Sequence, residues 1–353
     1  VMIGDNFKRT VSDAVMADIH YIINKADLRN SELKNEDIVK LQEFVAKAGT
    51  DAKIDLKNLE VSSYASPDGT LELNDKLAQK RQGTAGTYIE KELKKTKIEK
   101  VSQPGFITSK YTAEDWEGFK QLMEKSDIQD KDLILRVLSM YSDPVVREKE
   151  IKNISQAFKV IADKILPELR RSKFIVNVDN VGYSDDELKA MFNSNPDALK
   201  LEEILYTATL YDDLKTKLAV YQKASANYPN CFRAANNVGY VYLLMHDAAN
   251  AKPALEKSKG IKDTDAVNNN LGAVALLNGE VDKAKEIFTA SMGAGPAVNY
   301  NLGIIEIIKG DYDAAAKYLG NVDEFNTALV KYLKKDNDGA LSTINRISGD
   351  FAK

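Results

Sequence analysis

The sequence predicts an α+β protein in two parts, an α/β sandwich over residues 10–185 and an all-α solenoid over residues 198–353. Two observations lead there. In the last third, an Asn stands two residues before a small residue and an Ala follows that residue by twelve, four times over: Asn237/Gly239/Ala251, Asn270/Gly272/Ala284, Asn301/Gly303/Ala315 and Asn326/Ala328/Ala340. Gly239, Gly272 and Gly303 lie 33 and 31 residues apart, the period of stacked helix-turn-helix units. In the first half, two stretches of alternating apolar and polar residues, 53–66 and 173–183, are separated by segments of helical spacing. Strands separated by helices, with one sheet face to cover, indicate a sandwich. A solenoid is a surface for holding something, so the repeats point to a binding protein.

The chain has 353 residues, 44% hydrophobic and 29% charged, with a formal net charge of −4. That length supports two cores. A balance so close to neutral gives no electrostatic reason to expect nucleic acid or an anionic membrane surface. Cys231 is the single cysteine, so an intramolecular disulfide is excluded and cysteine usage leaves the redox compartment open. No apolar run approaches the ~20 residues needed to span a bilayer. The chain starts at Val1 with no signal-peptide core after it, which leaves open a removed targeting segment or a larger protein cut at this point.

In the first part, helices are expected over 35–48, 71–95, 113–126 and 145–171. Asp115 and Trp116 open the third, with Phe119 and Leu122 on its apolar side; Val160, Ile161, Ile165 and Leu169 form a stripe on the fourth, which Pro167 is placed to kink. The strand of 53–66 ends in the turn Ser66-Pro67-Asp68-Gly69, and the helix after it carries Asn74, Leu77 and Arg81. The spacing of Gly69, Asn74, Leu77 and Arg81 resembles the motif of the OmpA C-terminal-like domain. Arg170 and Arg171, ahead of the strand at 173–183, are similar to that family's final Arg-Arg and strand. The resemblance covers about 175 residues and contains an unusually long stretch, about 103–157, read as a helical insertion.

That resemblance implies peptidoglycan as a partner, bound through a diamino acid whose ammonium meets an Asp in the turn and whose carboxylate meets the helix Arg. Arg81 is in place, but Ser66 occupies the position of the Asp, Asp68 stands two residues on, and Gln82 replaces the small residue after the Arg. Losing one charged contact costs about 1.5–3 kcal/mol. The candidate ligand site is Ser66, Asp68, Asn74 and Arg81; the alternative is that Arg81 ties the helix to the turn and Asn74 caps the turn's backbone. The Ser-Pro-Asp-Gly turn looks like a variant of Bacteroidetes-type envelope proteins, which implies a periplasmic, outer-membrane-associated protein.

In the second part each repeat reads as two antiparallel helices. Leu271 and Ala275 share a face of one helix, Ala284 and Phe288 a face of the next, and Gly272 and Ala284 are small because two helices cross there. Gly279-Glu280 and Gly310-Asp311 mark turns, with Gly ending one helix and the acid starting the next. These residues resemble the tetratricopeptide pattern over about 198–348. A degenerate first copy aligns Tyr221, Ala224 and Pro229, with Glu203 where the others have Asn, and the last copy starts only 25 residues after Gly303, which puts its packing in question. The resemblance implies a concave groove in which Asn237, Asn270, Asn301 and Asn326 bond the backbone of an extended protein or peptide partner, each amide offering donors and an acceptor. The competing reading is that this Asn supports neighbouring helices. Tyr240, Tyr242 and Tyr300 add aromatic surface or packing. Between the two parts, 183–201 holds two helix-start signals and reads as a short helical linker.

Catalytic chemistry finds little support. His20 and His246 have no metal-ligand spacing around them, so no metal and no cofactor is expected. Gly83 and Gly86 lack the Lys-Ser/Thr of a phosphate loop, no Gly-x-Ser-x-Gly elbow occurs, and Cys231 has no His placed as a base. Asp185-Asp186 and Asp212-Asp213 read as solvated helix starts. The expectation is a non-enzymatic envelope adaptor, docking to peptidoglycan through one part and to a protein through the other. One alternative is a pure protein–protein scaffold of an outer-membrane assembly. Another is an envelope enzyme acting on glycan or peptide, which requires a polar cleft with paired acids, expected in 103–157.

Overall fold

The computed structural model describes residues 1–347, without the side chains of 155–157. The last positions of the expected repeat region, 348–353, lie outside the described residues. The chain forms two compact units, one of Arg9–Gly182 and one that joins Val1–Lys8 to everything from Tyr183 onward. The first unit is therefore inserted into the chain of the second.

The inserted unit opens on strand β1 (Thr10–His20), then helices α1 (Asn30–Leu33) and α2 (Glu36–Ala48), strand β2 (Ile54–Tyr64), helix α3 (Leu71–Lys94) and strand β3 (Ile107–Thr112). Helices α4 (Trp116–Lys125), α5 (Lys131–Met140), α6 (Pro144–Asn153), α7 (Ser155–Lys164) and α8 (Leu166–Leu169) follow, and strand β4 (Arg171–Val181) closes it. The sheet order is β1-β4-β2-β3, with β4 antiparallel to β1 and β2, and β2 parallel to β3. Side-chain caps fix the helix starts: Asn35 accepts from the Ile38 N–H, Thr70 from Leu73 and Asp115 from Gly118. Alternation along β2 and β4 turns Leu59, Val61, Phe174 and Val176 into one core, where Leu41 of α2 and Ile89 of α3 meet them. A separate core, around Phe119, Met123, Ile134, Ile161 and Leu169, holds α4–α8.

Three expectations change. The helix expected over 145–171 is three helices, because a straight one would run ~40 Å, whereas breaks at Ile154 and Ile165 let Ile151, Ile161 and Leu169 close one small core. The stretch 103–157 is not wholly helical: it contributes β3 to the sheet before the helices begin. Strands β1 and β3 also join the two expected strands. Both are sheet edges; β1 is exposed over its first four residues and β3 over most of its length, so neither carries a full apolar alternation.

The second unit continues from Tyr183 through α9 (Asp185–Ser194), whose start is a reciprocal capping box of Ser184 and Glu187. Five antiparallel pairs follow: α10 (Leu201–Thr209) with α11 (Leu214–Asn227), α12 (Phe232–Leu244) with α13 (Ala248–Ile261), α14 (Asp265–Leu277) with α15 (Val281–Ala290), α16 (Pro296–Lys309) with α17 (Tyr312–Leu319), and α18 (Phe325–Leu333) with α19 (Asn337–Arg346). The small residues do the work expected of them. A Cβ on Gly272 would stand 2.7 Å from the Phe288 ring, and one on Gly303 would stand 2.6 Å from Leu319 Cγ, each partner sixteen residues on. The last pair packs despite its short spacing, since Val330 shares a buried cluster with Ala315 and Leu319. The turn position seven residues after each small residue is left-handed in four pairs, at Gly279 and Gly310 but also at His246 and Lys335.

Candidate functional site

The first helices of the repeats bring their asparagines into one row, and the row holds an extended segment of the same chain. Residues 1–10 alternate between half-buried odd positions and exposed even ones, the period of an extended strand. Asn237 meets Ile3 in two directions: the Ile3 N–H donates to Asn237 Oδ1 at 2.9 Å, and Asn237 Nδ2 donates to the Ile3 carbonyl at 2.8 Å. One repeat further on, Asn270 treats Val1 alike, donating to its carbonyl at 2.7 Å and accepting from its nitrogen. Residues two apart in an extended chain point the same way, so one repeat corresponds to two residues of ligand.

The segment runs against the order of the repeats. Tyr221 donates to Met2 Sδ at 3.2 Å, and Arg233 Nη1 reaches the Gly4 carbonyl at 3.4 Å. Glu202, ion-paired to Arg233, accepts the Asn6 N–H at 2.6 Å. Phe7 then stacks on Tyr206 of α10 with ring centroids 4.5 Å apart. The Arg233 hydrogen bond holds the Glu202 carboxyl below its usual range, and burial pushes the Tyr221 hydroxyl up to about 12.

Doubled asparagines perform both of the roles that compete for this position, holding extended chain and supporting neighbouring helices. Asn237 and Asn270 bond the segment on both its N–H and C=O sides, whereas Asn236 gives the Val1 carbonyl a single bond at 3.1 Å and, like Asn269, also ties repeats together. Asn270 Nδ2 donates to Asn236 Oδ1 at 2.9 Å, Asn236 Nδ2 donates to Asn237 Oδ1 at 3.1 Å, and Asn301 Nδ2 donates to Asn269 Oδ1 at 3.0 Å. All four of the doubled asparagines are at most 2% exposed, so each amide needs the partners it has. The Asn-Asn pairs were the visible signal. Asn301 is half-buried beside a hollow of about 450 Å³ that includes Tyr300, Tyr318 and Val322, and Asn326 donates to the Tyr300 hydroxyl at 3.0 Å. These two lie off the segment. Glu203, in the first repeat's Asn position, caps its own helix by accepting the Lys200 N–H at 2.8 Å.

The other candidate set, in the inserted unit, is closed on itself. Arg81 is fully buried, donating from Nη1 to the Tyr64 carbonyl at 2.8 Å, from Nε to Lys25 at 2.9 Å and from Nη2 to Ile22 at 3.4 Å, with its guanidinium over the Tyr21 ring. Burial pushes its pKa down to about 10, which leaves it a cation at neutral pH. Asp68 pairs with Arg170 Nη2 at 2.9 Å, and Ser66 accepts from Arg170 Nε at 3.2 Å while donating to Asp68. Asn74 donates to the Gly69 carbonyl at 3.2 Å and braces the turn. Arg81 and Asp68 thus satisfy the chain's own groups, and the open Arg–Asp pair that a diamino acid needs is not formed.

A polar hollow of about 440 Å³ lies between β1 and α4, with Asp18, His20, Asp37, Lys125, Glu168 and Arg171 among its walls. Burial pushes the Asp18 carboxyl up, opposed by Lys173 and Arg171. His20 lies 3.5 Å from Glu168 and 3.6 Å from Glu32, and Arg171 pairs with Asp115 at 2.9 Å. Among the described residues no group of His, Cys, Asp and Glu is arranged to hold a metal ion, and no helix is long and apolar enough to cross a membrane.

No protein-family model matches the sequence, and no curated relative matches it. Among solved structures the chain is similar to YrrB, described as a TPR protein with an unusual peptide-binding site, at 16% identity and a TM-score of 0.32, over 46% of this chain and 91% of that one. It is similar to a tetratricopeptide repeat protein from Parabacteroides merdae at 10% identity and a TM-score of 0.41, over 77% of this chain and 91% of that one. It is also similar to the Cut9–Hcn1 hetero-tetramer of the APC/C at 14% identity and a TM-score of 0.39, over 88% and 71%. Likeness at this level carries no argument about function; the tetratricopeptide-type fold rests on the helix pairs themselves.

Proposed function

We propose that this protein is a non-enzymatic adaptor whose tetratricopeptide-type groove holds extended polypeptide through asparagine amides. The observation that carries this is the paired bonding of Asn237 and Asn270 to the main chain of Ile3 and Val1. Main-chain bonding gives affinity to any extended segment, and the side chains at alternate positions select among them. Hydrogen–deuterium exchange tests the reading. The Ile3 and Asn6 amides exchange slowly in the wild type and fast in Asn237→Ala/Asn270→Ala; fast exchange in the wild type sinks it.

For the inserted unit we favour docking to a protein over docking to peptidoglycan, because Arg81 and Asp68 are engaged within the chain. Periplasmic, outer-membrane-associated placement goes with the sequence resemblance of that unit, and cell fractionation tests it. Co-sedimentation with isolated sacculi separates the two docking readings. The expected result is that the protein stays in the supernatant; pelleting that Arg81→Ala abolishes would restore the cell wall as ligand.

A further inference from the structure

The groove is filled by its own chain, and the manner of filling identifies what else it takes. Asn237 and Asn270 are each 1% exposed with the segment in place. Removing the segment would trade these two-sided bonds to main chain for bonds to water. Exchange of one extended chain for another leaves every amide satisfied. The seated segment is also lightly held. Its inward side chains Val1, Ile3 and Phe7 are only half-buried, and of the three Phe7 alone packs against a core cluster, from its rim. Of the amide links between repeats, Asn301 to Asn269 is made apart from the segment, while Asn270 to Asn236 joins two side chains that both donate to the Val1 carbonyl.

We propose that Val1–Lys8 is an exchangeable pseudo-ligand, displaced by an extended segment of a partner protein that presents the same pattern. This rests on the peptide-holding reading above. The pattern follows from the contacts. Main chain is clamped at two residues two apart, which is tolerant of sequence. Selectivity comes from the Tyr206 face, which takes an aromatic ring four residues after the one clamped by Asn237, as Phe7 follows Ile3. The Arg233–Glu202 pair reads the carbonyl and N–H between them and demands an extended backbone there. Because the tethered segment acts at an effective concentration in the millimolar range, it screens out weak competitors, and the apparent affinity for a partner scales with the fraction of grooves it leaves open.

The test uses the full chain and a fluorescein-labelled peptide with the sequence of residues 1–10, followed by anisotropy. Ile3→Pro removes the N–H that Asn237 accepts, and Phe7→Ala removes the stacked ring; both loosen the tethered segment without touching the groove. Each is expected to bind the peptide at least about 10-fold more tightly than the wild type, and a peptide with its own Phe7→Ala is expected to bind about 10-fold more weakly, a factor equal to ~1.4 kcal/mol. Adding Asn237→Ala/Asn270→Ala abolishes binding in either background. Circular dichroism confirms that each variant is folded. If both loosened variants bind no better than the wild type, while the asparagine substitutions still abolish binding, the pseudo-ligand inference fails and the peptide-holding reading stands. If folded Ile3→Pro binds no peptide although exchange shows its segment released, both fail. Concentration-dependent dimers of the wild type that Ile3→Pro disperses would overturn the external partner in favour of a second copy of this chain.

Discussion

Arg81 separates a ligand-binding role from a structural one by a single substitution. In Arg81→Met the aliphatic stem keeps its volume while the guanidinium is lost, stranding the carbonyls of Tyr64 and Lys25, which it meets at 2.8 and 2.9 Å, and weakening the hold on Ile22 at 3.4 Å. Two charge-assisted bonds to buried acceptors are worth about 1.5–3 kcal/mol each, and removing one partner of a buried charged network costs about 3–5 kcal/mol. For a unit of this size that lowers Tm by roughly 6–20 °C. Because the protein has two compact units, a global melt is best paired with hydrogen–deuterium exchange of the peptide containing β2, whose last carbonyl Arg81 holds. A loss below about 1 kcal/mol, with β2 protection unchanged, would refute the structural role and return Arg81 to the list of ligand residues.

Further outcomes follow from the repeats and the groove. Gly272→Val places a methyl-bearing Cβ against the buried Phe288 ring and is expected to destabilise by about 1–3 kcal/mol, read as a lower urea midpoint. Lys335 is left-handed where Gly279 and Gly310 stand in other repeats, so Lys335→Gly relieves about 1–2 kcal/mol of strain against an entropic cost of about 0.5–1 kcal/mol, a net gain visible as a higher Tm. Glu202 is held below its usual range by Arg233, so its contribution is complete above the ordinary carboxylate pKa and is lost as pH falls through the lowered one. Protection of the Asn6 amide therefore declines on acidification from about pH 5, and Glu202→Gln removes that pH dependence.

The repeat architecture was legible because its signals are local: small residues at crossings, a left-handed turn residue, and an acid capping the next helix, as Asp311 does for Ala314. The row of asparagines was visible for the same reason, and two of them, Asn237 and Asn270, bond extended main chain of this protein itself. The seated segment was not visible. Val1 and Ile3 bond partners 269 and 234 residues away, and nothing in eight residues announces a groove assembled so far along the chain. The inserted unit shows the converse. The motif of Gly69, Asn74 and Arg81 coincides with a strand, turn and helix, yet two of the groups Arg81 bonds are carbonyls of Ile22 and Lys25, whose nearness depends on the loop after β1. Spacing along a helix cannot reveal which distant backbone faces it.

The order in which the chain is made gives the insertion a temporal meaning. Val1–Lys8 leaves the ribosome ahead of the whole inserted unit, but Asn270 lies 269 residues later. At roughly 5–20 residues per second, the segment exists for about 13–54 s before its own berth is synthesised. Throughout that interval its apolar and aromatic side chains have no groove to sit in, while the inserted unit, with β1 near the start and β4 at its close, has its whole sheet synthesised first. The newborn protein thus offers a ligand before it offers a receptor.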